Sequence, residues 1–201
     1  DELKKIDHKK FYLSGTMVGA GQVKFDAGET IDDFNEKKLL ENIENIKTFN
    51  FQGTTKCPGL IHKETWDHVG GWSEEFSPTG GDDTDFAMKL WRYDVRIFKG
   101  LGKCLAYHFG SITTRKKDKS LFTYLGSKGN KIFLLKWGMS INFFEKFYLK
   151  SGLDKNKKLI FTKHLGELKN PNKSFKFYFE LFLSKILYLF LIIQKKKYLD
   201  N

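Results

Sequence analysis

SPTGGDDTDFAMKLW, Ser77 to Trp91, sets three carboxylates within four residues, directly behind a Gly-Gly pair and ahead of an amphipathic helical pattern. Crowding Asp82, Asp83 and Asp85 makes each harder to ionise, so the position has to reward the arrangement. Three readings compete: a calcium loop, a helix cap, and the acidic end of an active-site cleft. The calcium loop fails on spacing. Counted from Asp83, an EF-hand needs an oxygen ligand at its fifth position and glycine at its sixth, where the chain has Ala87 and Met88. A cap accounts for one acid, because an Asp at a helix start accepts backbone N–H bonds worth about 1 kcal/mol. It predicts a helix beginning near Thr84 and leaves the other acids unexplained.

Working outward, KKFYLSGTMVG reads as a strand with Phe11, Tyr12 and Leu13 in the core, and residues 22–33 as a loop. NEKKLLENIENI places Leu39, Leu40, Ile43 and Ile46 at helical spacing, which predicts an amphipathic helix. CPGLIH is a short strand started by Pro58, and KETWDHVGG a brief helix that Gly70 and Gly71 end. DFAMKLWRY returns to helical spacing, and VRIF and CLAYHF read as two separate strands. After His108 come the basic loop GSITTRKKDKS, short helical pieces at KIFLLKWG and INFFEKFYLK, a polar linker with Pro171, and an aromatic-rich tail.

The 201 residues divide into segments 1–118, 119–170 and 171–201 on these composition changes. With 40% apolar residues and 20 Phe the chain has ample material for a core. The net charge of +11 is lopsided: 15 Lys and Arg meet 18 Asp and Glu up to His108, and 20 meet 6 from Phe109 onward. A basic half beside a near-neutral one suits an anionic surface. Two cysteines, Cys57 and Cys104, make neither a disulfide framework nor a zinc site, which fits a reduced, cytoplasmic setting. The polar start DELKKIDHKK has no signal peptide and no initiator Met.

The run from Pro58 to Ser111 resembles the C-terminal half of the catalytic domain of family 2, GT-A-type glycosyltransferases. The elements that carry the resemblance are Gly70-Gly71-Trp72 with Glu75 and Phe76, then Asp82-Asp83 with Asp85, then His108 with Ser111, in that order. FLLKWG and FYLKSG look like the family's trailing helices. The resemblance implies an α/β, Rossmann-like nucleotide-diphospho-sugar transferase fold with its N-terminal, donor-binding half missing and C-terminal helices added. The chain is then a fragment of a longer transferase or one half of a two-chain enzyme. It implies Asp83 as general base, Asp82 beside it touching sugar or acceptor, and Gly70, Gly71 and Trp72 next to the donor sugar. His108 is implied as a ligand of a divalent metal, Mn2+ or Mg2+, at the diphosphate. Asp85 caps or braces the helix, and His62 and His68 are surface or structural residues. The chemistry needs a carboxylate within hydrogen-bond reach of an acceptor hydroxyl, and a neighbouring acid with partial burial raises its basicity.

FKFYFELFLSKILYLFLII, Phe175 to Ile193, is interrupted by Lys176, Glu180, Ser184 and Lys185, and Lys195–Lys197 follow. Charges near its middle argue against a spanning helix. Lys176, Glu180 and Ser184 fall on one face, which leaves a broad apolar face for an anionic membrane surface. A helix packed on the domain is the competing reading. Partners expected are a nucleotide-diphosphate sugar, a glycan or lipid-linked acceptor, and the membrane; no nucleic-acid motif is present. A non-catalytic membrane-surface module that kept the fold is the rival to the enzyme.

Overall fold

The computed structural model describes residues 2–56, 58–77, 80–110, 128–153, 159–162 and 166–199. Cys57, Ser111 and the basic loop after it lie outside the described residues. The fold is α/β. A mixed four-stranded sheet in the order β2-β4-β1-β3 combines β1 (Phe11–Gly19), β2 (Phe51–Gln52), β3 (Gly59–Ile61) and β4 (Ile97–His108). β1 and β4 run parallel, and the two flanking strands pair antiparallel. Phe11 through Thr16 are all buried, as befits a strand covered on both faces.

β4 is a single twelve-residue strand, not the two strands that VRIF and CLAYHF suggested. Gly100 and Gly102 lie within it. Both serve packing: a Cβ on Gly100 would stand 2.1 Å from the Phe51 ring, and one on Gly102 2.7 Å from the Phe49 backbone. Opposite Gly15 and Thr16 the register jumps from Leu101 to Leu105. The displaced chain brings the Cys104 carbonyl to where a Gly15 side chain would begin, and Thr16 Oγ1 donates to the Leu101 carbonyl at 3.0 Å. This is a bulge that only glycine tolerates at position 15.

The helix expected over 35–46 is shorter. α1 (Glu36–Asn42) buries no residue and gives way to a 3-10 turn, Ile43–Asn45. Asn42 Nδ2 bonds back to the Lys38 carbonyl at 2.9 Å, and such side chains compete with helix propagation. α2 (Lys63–Val69) starts on His62, whose Nδ1 accepts the Glu64 N–H at 3.2 Å, and ends at Gly70 with φ 74°. α3 (Asp82–Arg92) starts two residues before the expected Thr84, with Gly81 as N-cap at φ 91°. No side chain caps it. Instead all three acids occupy its first turn, where the helix dipole favours negative charge.

The core lies between α3 and the sheet: Phe86, Leu90 and Trp91 pack with Tyr12, Phe98 and Phe133. α4 (Lys128–Trp137) and α5 (Ile141–Phe144) close over it, and α5 runs into a π-helical turn, Glu145–Leu149, ended by Lys150 at φ 56°. Beyond the hairpin of β5 (Gly152–Leu153) and β6 (Leu159–Ile160), the chain returns to the sheet. Gln52 N–H donates to the Thr162 carbonyl, Phe161 stacks on Phe51, and Leu168 enters the main core.

α6 (Phe175–Leu199) is longer than the sequence suggested and is docked at its start. Phe177 is buried against Phe143 and Phe147, Glu180 pairs with Lys146, and Ser184 is buried beside Ser140. Glu180 and Ser184 of the expected polar stripe therefore face the protein, with partners beside α5 and on the π turn, while Lys176 stays exposed. The apolar residues Phe175, Phe179, Phe182, Leu189 and Phe190 point outward. Among the described residues no helix is long and apolar enough to cross a membrane.

Candidate functional site

The three acids of α3 sit in three different environments. Asp85 is 0% exposed, and its carboxylate is met by Ser73 Oγ (2.6 Å), Trp137 Nε1 (2.7 Å) and Lys136 Nζ (3.0 Å), with Lys89 Nζ at 4.0 Å. It braces α3 against α4 and the loop before Glu74, as the sequence suggested. A carboxylate so enclosed has no face left for a substrate. Lys136 also pairs with Glu75 at 2.7 Å, and that contact holds the Glu75 carboxyl below its usual range.

Asp83 is half-buried and faces the opposite way. Its Oδ2 lies 2.7 Å from Lys56 Nζ, and its Oδ1 accepts the Thr84 N–H at 2.8 Å. Lys56 comes from the segment between β2 and β3, 27 residues away. The Asp83 charge holds the Lys56 ammonium well above the usual lysine range, against the opposing effect of burial, with Glu145 and Asp82 adding to it. Asp82 is exposed at the first position of the helix.

Glu145 completes the group from the other side. It opens the π turn, and Thr84 hydrogen-bonds its carboxylate. Burial, and then the Asp83 charge, push its carboxyl up to about 7, against the opposing pull of Lys56. Extra-turn residues of this kind recur at functional sites. A loop, a helix start and a π turn thus deliver Lys56, Asp83, Thr84 and Glu145 to one place. Sequence reasoning missed both Lys56 and Glu145. The available signal for Glu145 was a lone acid inside the apolar run INFFEKFYL; Lys56, in TTKCPG, carried none.

The glycine loop lies on another side of α3. Gly71 sits where a Cβ would come 2.7 Å from the Trp66 ring, and its carbonyl accepts from Lys89 Nζ at 2.9 Å. Trp72 stacks on Phe86 at 4.7 Å and packs against the main core. Gly70 has open space where a side chain would stand. Lys89 and Arg92 of α3 line a shallow cleft of about 280 Å3 with His68, Val69, Tyr93 and Trp137. His68 stacks on Tyr93 at 3.8 Å, a structural role.

His108 is half-buried at the end of β4, paired in register with Gly19, and its carbonyl accepts the Ala20 N–H. Among the described residues no three His, Cys, Asp or Glu side chains gather to hold a metal. Those residues do not by themselves make a ligand set for Mn2+ or Mg2+. Comparison with family models, with curated proteins and with solved structures finds no match.

Proposed function

We propose that the chain forms the acceptor-side half of a family 2-like, GT-A-type inverting glycosyltransferase. It transfers a sugar from a nucleotide-diphosphate sugar to a hydroxyl acceptor in glycan or lipid-linked glycan synthesis. The observation that carries the reading is the division of labour in the first turn of α3: Asp85 is wholly enclosed as a brace, while Asp83 is held half-exposed and hydrogen-bonded beside it. Such an arrangement suits a carboxylate fixed in place to receive a proton.

In this reading Asp83 takes the proton of the acceptor hydroxyl as that oxygen bonds to the anomeric carbon. The bond from that carbon to the diphosphate breaks, and the nucleoside diphosphate leaves with the electron pair. Asp82, exposed one residue earlier, meets sugar or acceptor. Gly70, with no atom near its missing Cβ, leaves room for a ligand, and Trp72 shapes that loop. His108 belongs to the diphosphate end. The outward apolar face of α6, followed by Lys195–Lys197, makes the enzyme peripheral to an anionic, cytoplasmic membrane surface. The non-catalytic membrane-surface module is the second reading, and the closed Lys56–Asp83 pair is the observation that favours it.

In the enzyme completed by its donor-binding half, a panel of UDP-, GDP- and dTDP-hexoses, with release of the nucleoside diphosphate as readout, decides between them. Turnover that falls at least ~100-fold in Asp83→Asn, the usual scale for losing a general base, supports the enzyme. Unchanged turnover in that variant rejects Asp83 as base. Absence of turnover with every donor in that complete enzyme, while vesicle binding persists, selects the module.

A further inference from the structure

We propose that the cleft where the ends of α2, α3 and α4 meet is a carbohydrate subsite, which holds an anionic sugar unit of the acceptor glycan on the Arg92 guanidinium. The proposal rests on the transferase reading and names the class of acceptor: a glycan that carries phosphate or carboxylate groups.

The cleft measures about 280 Å3, at the small end of ligand pockets, which suits a single sugar ring. Its lining is aromatic and cationic. His68 and Tyr93 stack at 3.8 Å, Trp137 lines the cleft with them, and Lys89 and Arg92 bring positive charge from α3. Flat rings beside hydrogen-bond donors match a pyranose, apolar on its C–H faces and polar at its rim.

The two cations differ in what already occupies them. The Lys89 ammonium donates to the Gly71 carbonyl at 2.9 Å and stands 4.0 Å from the Asp85 carboxylate. Cations in the last turn of a helix also answer its dipole, so the fold accounts for Lys89. Arg92 has no such employment. It is exposed, its guanidinium lies 5.6 Å from the centre of the Trp137 ring, and among the described residues it has no carboxylate or carbonyl partner. Asp94, two positions on, pairs instead with Arg96 at 3.0 Å. Beside a ring, a guanidinium keeps its N–H edge free, and that edge fits the paired oxygens of a phosphate or carboxylate. Lys10 Nζ, 4.6 Å from the centre of the Tyr93 ring, adds a further positive charge.

Arg92 follows Asp83 on the same helix by about two and a half turns, or about 13 Å along the axis. The cleft therefore takes no part in the proton transfer. It holds a sugar unit away from the reacting hydroxyl.

The test titrates the intact, 15N-labelled chain with glucose 6-phosphate, glucuronate, glucose and inorganic phosphate. The readout is the Trp137 indole N–H, one of four indole signals and identified by its loss in Trp137→Phe. At least one anionic sugar should shift it, and the tighter of the two distinguishes phosphate from carboxylate as the group recognised. Glucose should leave it in place, and inorganic phosphate should bind more weakly than glucose 6-phosphate. Arg92→Gln should weaken the binding at least ~10-fold, the scale of one charge-assisted hydrogen bond, and Arg92→Lys should recover only part of it. Both variants should melt with the wild type, because Arg92 is exposed. In the enzyme completed by its donor-binding half, Arg92→Gln should raise the KM for an anionic acceptor and leave kcat unchanged. Arg92-dependent binding without turnover in that enzyme rejects the transferase reading and upholds the subsite. A Trp137 signal indifferent to both anionic sugars, an affinity unchanged in Arg92→Gln, or inorganic phosphate bound as tightly as either sugar overturns the proposal.

Discussion

The indole N–H of Trp137 donates to Asp85 Oδ1 at 2.7 Å, joining the last residue of α4 to the first turn of α3 across 52 positions of sequence. With Lys136 and Ser73 on the same carboxylate, the contact makes Asp85 the point where helix start, helix end and loop are fastened together.

Asp85→Ala should therefore be among the more damaging single changes. It leaves Ser73 Oγ and Trp137 Nε1 without their buried acceptor and Lys136 with Glu75 as its remaining carboxylate, and each buried donor so orphaned costs about 1–3 kcal/mol. For a domain of this length that lowers Tm by about 10 °C. Urea denaturation of the variant measures it, and a loss below about 1 kcal/mol would show that Asp85 is no brace.

Glu145 gives stability a pH dependence of defined sign. Its carboxyl is held at about 7 in the folded chain against an ordinary 4.5. Between those values the folded form keeps a proton that the unfolded form has lost, so stability falls as pH rises from about 4.5 to about 7 and levels off above. The span is on the order of 3 kcal/mol. Glu145→Gln should flatten it, as read from urea midpoints across that window.

The tail separates docking from exposure residue by residue. Phe177 is buried against Phe143 and Phe147, so Phe177→Ala should cost about 3 kcal/mol or more. Phe182 and Phe190 are exposed, at 60% and 59%. Changing both to Ser should leave Tm unaltered and abolish sedimentation with anionic vesicles. Vesicle binding that survives the double change would remove α6 as the membrane contact.

Gly100→Ala is the test of β4 as one strand. The added methyl meets the buried Phe51 ring at 2.1 Å, and overpacking of this kind costs about 1–3 kcal/mol. A variant as stable as wild type would mean that Phe51 does not lie over Gly100.

Where the chain announced its own structure, the reason was local. FYLSGTMVG, apolar but for Ser14 and Thr16, became a strand buried from Phe11 through Thr16; Gly70 ended α2 because its left-handed backbone admits little else. The acidic cluster was visible as a cluster, and Asp85 as a brace. What could not be read was which partners arrive from afar: Lys56 from before β3, Lys136 and Trp137 from α4, and Glu145 from a π turn. Each contact is a meeting of positions 27 to 52 residues apart or more, and no periodicity records it. In the tail, the partners of the polar stripe escaped the sequence for a related reason. A polar stripe on a helix says that it wants hydrogen-bond partners, and Ser140 and Lys146 meet that need as well as water does.

The two central strands of the sheet also fix the order in which the chain can fold during synthesis. Thr16 of β1 bonds to Leu101 of β4, 85 residues later, and the edge at Gln52 is closed later still by Thr162. Closing a loop of that length has to be offset before the parallel ladder returns anything. At about 5–20 residues per second the ribosome makes β1 wait several seconds for its main partner, with the three-residue pairing to β3 and a bridge to Val23 at hand in the interval. Through that delay Phe11, Tyr12 and Leu13 stand uncovered on a nascent chain, a natural station for a chaperone.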